Sequence, residues 1–107
     1  MLPGHDVFIT DWRDAKMAPL SAGRFDLDDY IDTVIDWLAA ITPPGSQRAH
    51  MLAVCQPSVP VYAAVALMSA SNHPALPATL TMMGGPIDTR MAPTAVNTLA
   101  MQRPFAW

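Results

Sequence analysis

The chain has 107 residues, 51% of them hydrophobic and only 14% charged, with a net charge of −3. That length suits one domain or part of one, and the composition excludes a disordered, strongly charged chain. Nine Asp, no Glu, five Arg and one Lys form no basic stripe, and the single cysteine excludes an internal disulfide. No nucleic-acid partner, signal peptide or membrane span is expected, since the longest apolar stretch, Val59 to Met68, is short and contains Pro60.

Val7-Phe8-Ile9-Thr10 follows the turn signal Pro3-Gly4 and reads as a first, buried strand. Asp11 to Phe25 reads as a loop broken by Pro19 and Gly23. Asp26 opens the clearest helix. Leu27, Tyr30, Ile31, Val34, Ile35, Leu38 and Ile41 recur at the spacing of one buried face. Asp26 suits an N-cap, and Asp29 stands where a capping box puts an acid. Asp28, Asp29, Asp32 and Asp36 fall on the outer face. Pro43-Pro44-Gly45 stops the helix.

Ala49 to Val54 reads as a second strand, and Cys55-Gln56-Pro57 as a sharp turn. A second helix is expected from Pro57 or Ser58 to about Ala70. Pro57 suits a first helical turn, where a missing N–H costs nothing. Asn72 to Pro77 is a loop, Ala78 to Met83 a third strand, and Thr94 to Met101 a short helix. Phe105 and Trp107 close the chain without visible partners. No Asp, Glu, Lys or Arg occurs from Ala49 to Ile87, as expected of an element buried on several sides. Strand, helix, strand, helix, strand predicts right-handed crossovers and a parallel α/β sheet. Asp11, Cys55 and Asp88 each follow a strand and are expected on one rim, where such sheets carry their chemistry.

A nucleophile between a strand and a helix is pushed outward by the tight turn, and the helix N-terminus behind it stabilises negative charge. Cys55 has that placement. The backbone N–H of Gln56 can serve as one oxyanion donor. Against this, a lone cysteine beside apolar residues is often a small buried hydrophobe. Ala53 and Pro57 also stand where an elbow usually has glycines. Ser58 is a second candidate nucleophile, with helix capping or a solvated hydroxyl as its plainer role.

Four blocks carry a resemblance. They are His5-Asp6-Val7-Phe8-Ile9-Thr10-Asp11-Trp12, the run from Met17 to Tyr30, Ala53-Val54-Cys55-Gln56-Pro57-Ser58-Val59-Pro60, and Met82-Met83-Gly84-Gly85-Pro86-Ile87-Asp88-Thr89-Arg90. Together they resemble the intracellular poly(3-hydroxybutyrate) depolymerases, which are similar to α/β-hydrolases and use a cysteine nucleophile. The resemblance implies a three-layer, parallel-sheet, α/β-hydrolase-like fragment of about three strands with crossover helices. Residues 1–107 would be a partial hydrolase core ending where a cap region begins.

The family's nucleophile falls on Cys55, with Gln56 N–H helping to bind the oxyanion. Pro57 is then a family trait. The implied activity is hydrolysis of an intracellular polyhydroxyalkanoate ester. The substrate partner is the polyester granule and the location cytoplasmic, at granules. Met, Trp and Phe residues near the rim would suit such a surface, although each also suits an ordinary core.

Nothing matches the family's catalytic Asp and His, which lie further along. His5, His50 and His73 read as structural or solvated histidines. Asp88 reads as a loop cap or a partner of Arg90, and Asp11-Trp12 as a strand-end turn, with a pocket wall as the second reading. The strand expected between the first and second ones, with the second oxyanion donor after it, would come earlier than this chain. Two other readings stand beside the depolymerase: a non-catalytic truncated fragment, and a polyester synthase relative, against which Ala53 and Pro57 argue. No cofactor or metal is implied.

Overall fold

A computed structural model describes residues 3–103. Helix α1 spans Leu27–Ile41. Its start is the reciprocal box expected from the sequence. The Asp26 carboxylate accepts from Asp28 N–H at 3.1 Å and Asp29 N–H at 3.4 Å, while Asp26 N–H donates to Asp29 Oδ2 at 2.8 Å. These bonds satisfy donors that a helix N-terminus otherwise leaves unpaired. Ile31, Val34 and Leu38 are buried, and Tyr30 and Ile35 pack beside them. Leu27 and Ile41 were expected on the same face, yet they lie at the helix ends and stay exposed.

Strands β1 (His50–Val54) and β2 (Thr79–Met83) pair in parallel, with His50 opposite Thr79 and Val54 opposite Met83. Helix α2, Ser58–Ala70, makes the crossover between them. Parallel strands require such a crossover, because a two-residue turn cannot reverse the chain twice. Side chains fix where the ladder begins. Arg48 Nε donates to Leu76 O at 2.7 Å and its Nη2 to Pro77 O at 2.9 Å. His50 Nδ1 lies 2.8 Å from Thr79 Oγ1. The far end of α2 closes in a left-handed turn at Asn72, φ 52°, after which His73 N–H donates to Met68 O at 2.8 Å.

Helix α1 packs on α2, and α2 packs on both strands. The core forms between the two helices and the inner sheet face: Ile31, Val34 and Leu38 of α1, Val61, Ala64 and Met68 of α2, Ala53 of β1, and Ala75. Ala64 is fully buried. A residue that small lets the two helices approach closely.

The mixed α/β character and the parallel pairing agree with the sequence reading, but the sheet has two strands among the described residues, not about three. Val7–Thr10 joins no ladder, and Ile9 is 87% exposed. β-branched and aromatic residues favour a pleated surface, but the preference is realised only against a neighbouring strand. No described strand lies on the free edge of β1.

The three-layer expectation is corrected for the same reason. Helices cover only the face carrying Met51, Ala53 and Leu80, while Leu52, Val54 and Met83 on the other face are exposed. Helix α3, Ala95–Gln102, is capped by Thr94 and Asn97 but packs on no other element. Phe105 and Trp107 lie outside the described residues.

Accessible surface measures the result. The chain exposes 8944 Å², where a compact chain of its mass exposes about 5,800 Å². Its radius of gyration is 16.3 Å, against about 13 Å for a compact domain of this length.

Candidate nucleophile turn

Cys55 sits between the end of β1 and the start of α2, with φ 65°. A non-glycine residue there costs on the order of 1–2 kcal/mol, so its surroundings must hold it. Cys55 N–H donates to Met83 O at 2.8 Å, extending the ladder one residue past β1. Ser58 N–H donates back to Cys55 O at 3.0 Å, and Ser58 Oγ to Ala53 O at 3.3 Å. Cys55 is an exposed residue with a free thiol.

The start of α2 explains which amide is left over. Pro57 and Pro60 carry no N–H. Ser58 N–H, Val59 N–H and Val61 N–H are engaged by Cys55, Gln56 and Pro57 carbonyls. Gln56 N–H has no hydrogen-bond partner among the described residues, and it is the amide directly after the thiol. It is therefore free to receive negative charge developing beside the sulfur.

Gly84 and Gly85 complete the turn from the β2 side. Gly84 has φ 61°. A Cβ on Gly85 would collide with Ser58 Cβ and Oγ and lie 3.1 Å from Cys55 O. Only glycine allows that approach. Ser58 itself is fully buried and makes no capping bond to α2. Both roles expected of it, a cap or a solvated hydroxyl, are thus corrected, and burial removes it as an alternative nucleophile. The clue available in the sequence was the pairing of a small residue three places after Cys55 with a glycine pair after the next strand.

A shallow depression of about 500 Å³ adjoins the turn, lined by Leu27, Tyr30, Gln56, Pro57, Val59, Pro60, Pro86 and Thr89. Its walls are mostly apolar, and Gln56 and Pro57 form its border toward Cys55. Partial burial pushes the Tyr30 phenol up from its ordinary range. Tyr30 also stacks edge-on with Trp12 at 4.5 Å, and Trp12 meets Trp37 at 4.9 Å and Phe25 at 5.8 Å. Trp12 therefore docks the segment before α1 onto that helix, where the sequence suggested a strand-end turn. Asp11 makes no hydrogen bond or ion pair among the described residues.

Asp88 is engaged by Arg90. The guanidinium Nε and Nη2 each reach a carboxylate oxygen at 2.8 Å, and Arg90 N–H adds a third bond at 3.1 Å. The guanidinium bonds first, and the backbone bond second, hold the Asp88 carboxyl below its usual range. Both side chains are solvent-exposed.

The histidines lie elsewhere. His50 begins β1, about 16 Å of extended chain from Cys55. His73 follows the far end of α2, about 20 Å of helix away, and its Nδ1 accepts from Ala75 N–H at 3.2 Å. His5 belongs to the exposed segment before α1.

Among the described residues no group of three or more His, Cys, Asp or Glu is placed to hold a metal ion. No described helix is long and apolar enough to cross a membrane. Comparison with known proteins finds no matching family model, no matching curated protein and no matching solved structure.

Proposed function

We propose that the chain carries the nucleophile turn of a thiol ester hydrolase acting on an aliphatic polyester of 3-hydroxy acids. The observation that carries this reading is the exposed Cys55 at positive φ between β1 and α2, followed by the unpaired Gln56 N–H. The resemblance of four separated blocks to intracellular polyhydroxyalkanoate depolymerases supports the choice of substrate. The apolar depression beside Gln56 suits an uncharged acyl chain better than a charged one.

In the reaction the Cys55 thiolate attacks the ester carbonyl, and Gln56 N–H bonds the resulting oxyanion. Collapse breaks the C–O bond and expels the alkoxide, which takes a proton and leaves as the alcohol. The acyl group remains on sulfur as a thioester. Water then adds to the thioester, releases the hydroxy acid and returns the thiol. Both halves call for a base, and among the described residues Cys55 Sγ makes no hydrogen bond to a histidine. The described residues therefore favour a second reading for the chain by itself: an acyl acceptor without turnover.

The test is incubation with the p-nitrophenyl ester of 3-hydroxybutyrate, followed by intact-mass analysis. We expect one acyl group per chain on Cys55, slow release, and no adduct in Cys55→Ala. A wild-type thiol acylated no faster than a cysteine in a short peptide refutes the assignment.

A further inference from the structure

Ser58 is the polar side chain at this turn that the reaction does not use. It is fully buried, accepts no N–H bond from α2 and cannot meet a substrate. A buried hydroxyl is costly unless it is bonded, and alanine would fill the same seat without that cost. Its one bond runs five residues back to Ala53 O, so it spans Cys55 from the strand side to the helix side. Gly85 closes against it from β2. Of the three bonds that bracket Cys55, two are backbone bonds that any residue 58 other than proline retains. Only the Oγ bond depends on the side chain.

We propose that Ser58 is a positioning residue: its hydroxyl, bonded to Ala53 O and seated on Gly85, holds Cys55 in the left-handed turn that leaves Gln56 N–H unpaired beside the thiol. The role in catalysis rests on the ester-hydrolase reading, whereas the role in setting the Cys55 backbone does not.

The whole 107-residue chain is compared as wild type, Ser58→Ala and Gly85→Ala. Ser58→Ala keeps the seat and removes the hydroxyl; Gly85→Ala keeps the hydroxyl and fills the seat. Three quantities are read: the Cα and Cβ chemical shifts of Cys55, which report the sign of φ; the acylation rate with p-nitrophenyl acetate; and the alkylation rate with iodoacetamide, which forms no oxyanion. Both variants are expected to move the Cys55 shifts away from the left-handed range. In Ser58→Ala acylation falls about tenfold, the scale of one buried hydrogen bond, while alkylation stays unchanged. Mere loosening of the fold would move alkylation as well.

Unchanged Cys55 shifts in Ser58→Ala overturn the proposal. Should that variant not fold, the wild-type Ser58 hydroxyl proton decides: slow exchange supports the bond, and exchange at the rate of a solvated serine overturns it. A wild-type chain that no ester acylates refutes the hydrolase reading alone, because the Cys55 shifts still test the positioning role.

Discussion

Two acids that follow an expected strand invite a catalytic reading, and the neighbours of Asp88 argue against one. Its carboxylate is held in a fork by Arg90 on the same loop. An arginine cannot pass a proton on, so the pair orders the loop after β2 and orients no base. Replacing Asp88 with Asn should leave the acylation of Cys55 within about twofold of wild type, as expected for an exposed ion pair. A loss as complete as that of Cys55→Ala, read by the same mass assay with the helical signal intact, would place Asp88 in the machinery. The place of Cys55 between β1 and α2 is legible in the sequence because strand, turn and helix signals stand side by side there. The burial of Ser58 is not, because capping and burial give a serine the same letter, and only the approach of Gly85 from another strand separates them.

Among the elements, α1 has a start that is local in origin, as has α3. Asp26 and Asp29 satisfy each other's backbone within four residues, so the box needs no tertiary partner and was legible from spacing. The bond from Asp29 N–H, with smaller help from Arg24 and Asp28 N–H, lowers the Asp26 carboxyl below its ordinary value. A carboxyl lowered on folding stabilises the fold fully above its unfolded value, about 4, and that contribution disappears as pH falls through the lowered one. The helical signal in circular dichroism should therefore weaken between pH 4 and lower values, and Asp26→Ala should flatten that titration while lowering the midpoint of thermal unfolding at pH 7. An acid titration of the same shape in Asp26→Ala would assign the effect elsewhere. The segment Val7–Thr10 behaves oppositely. Its residues carry strand preference, but a strand is defined by its neighbour, and no amount of local pattern supplies one.

At the scale of the whole molecule, the two-strand sheet leaves one edge of β1 and one face of the sheet open. Neither the edge nor the face carries a charged side chain, the usual guard against strand addition. Leu52, Val54 and Met83 on that face sit beyond the reach of both packed helices. The chain is expected to associate with rising concentration, and the double variant Leu52→Lys, Val54→Lys to do so less with unchanged helical content. Sedimentation at several concentrations checks this. Equal association in both proteins would move the sticky surface away from the sheet. The uncharged run from Ala49 to Ile87 announced a need for cover on two sides; the described residues supply it on one, which is why the composition reads as more interior than the fold itself.

The docking of Trp12 on Trp37 has a spectroscopic consequence. Two indoles 4.9 Å apart and inclined at 56° couple their transitions, so the pair should give a split band in near-ultraviolet circular dichroism. The signal arises between the segment before α1 and the helix itself, and it depends on no other part of the chain. Amide bands, by contrast, follow α1, α2 and α3 together. If the leading segment comes away as a separate cooperative unit, the split band melts at a lower temperature than the amide signal. The distance between the two transitions would then give the stability of the tether formed by one indole, apart from the stability of the core it rests against.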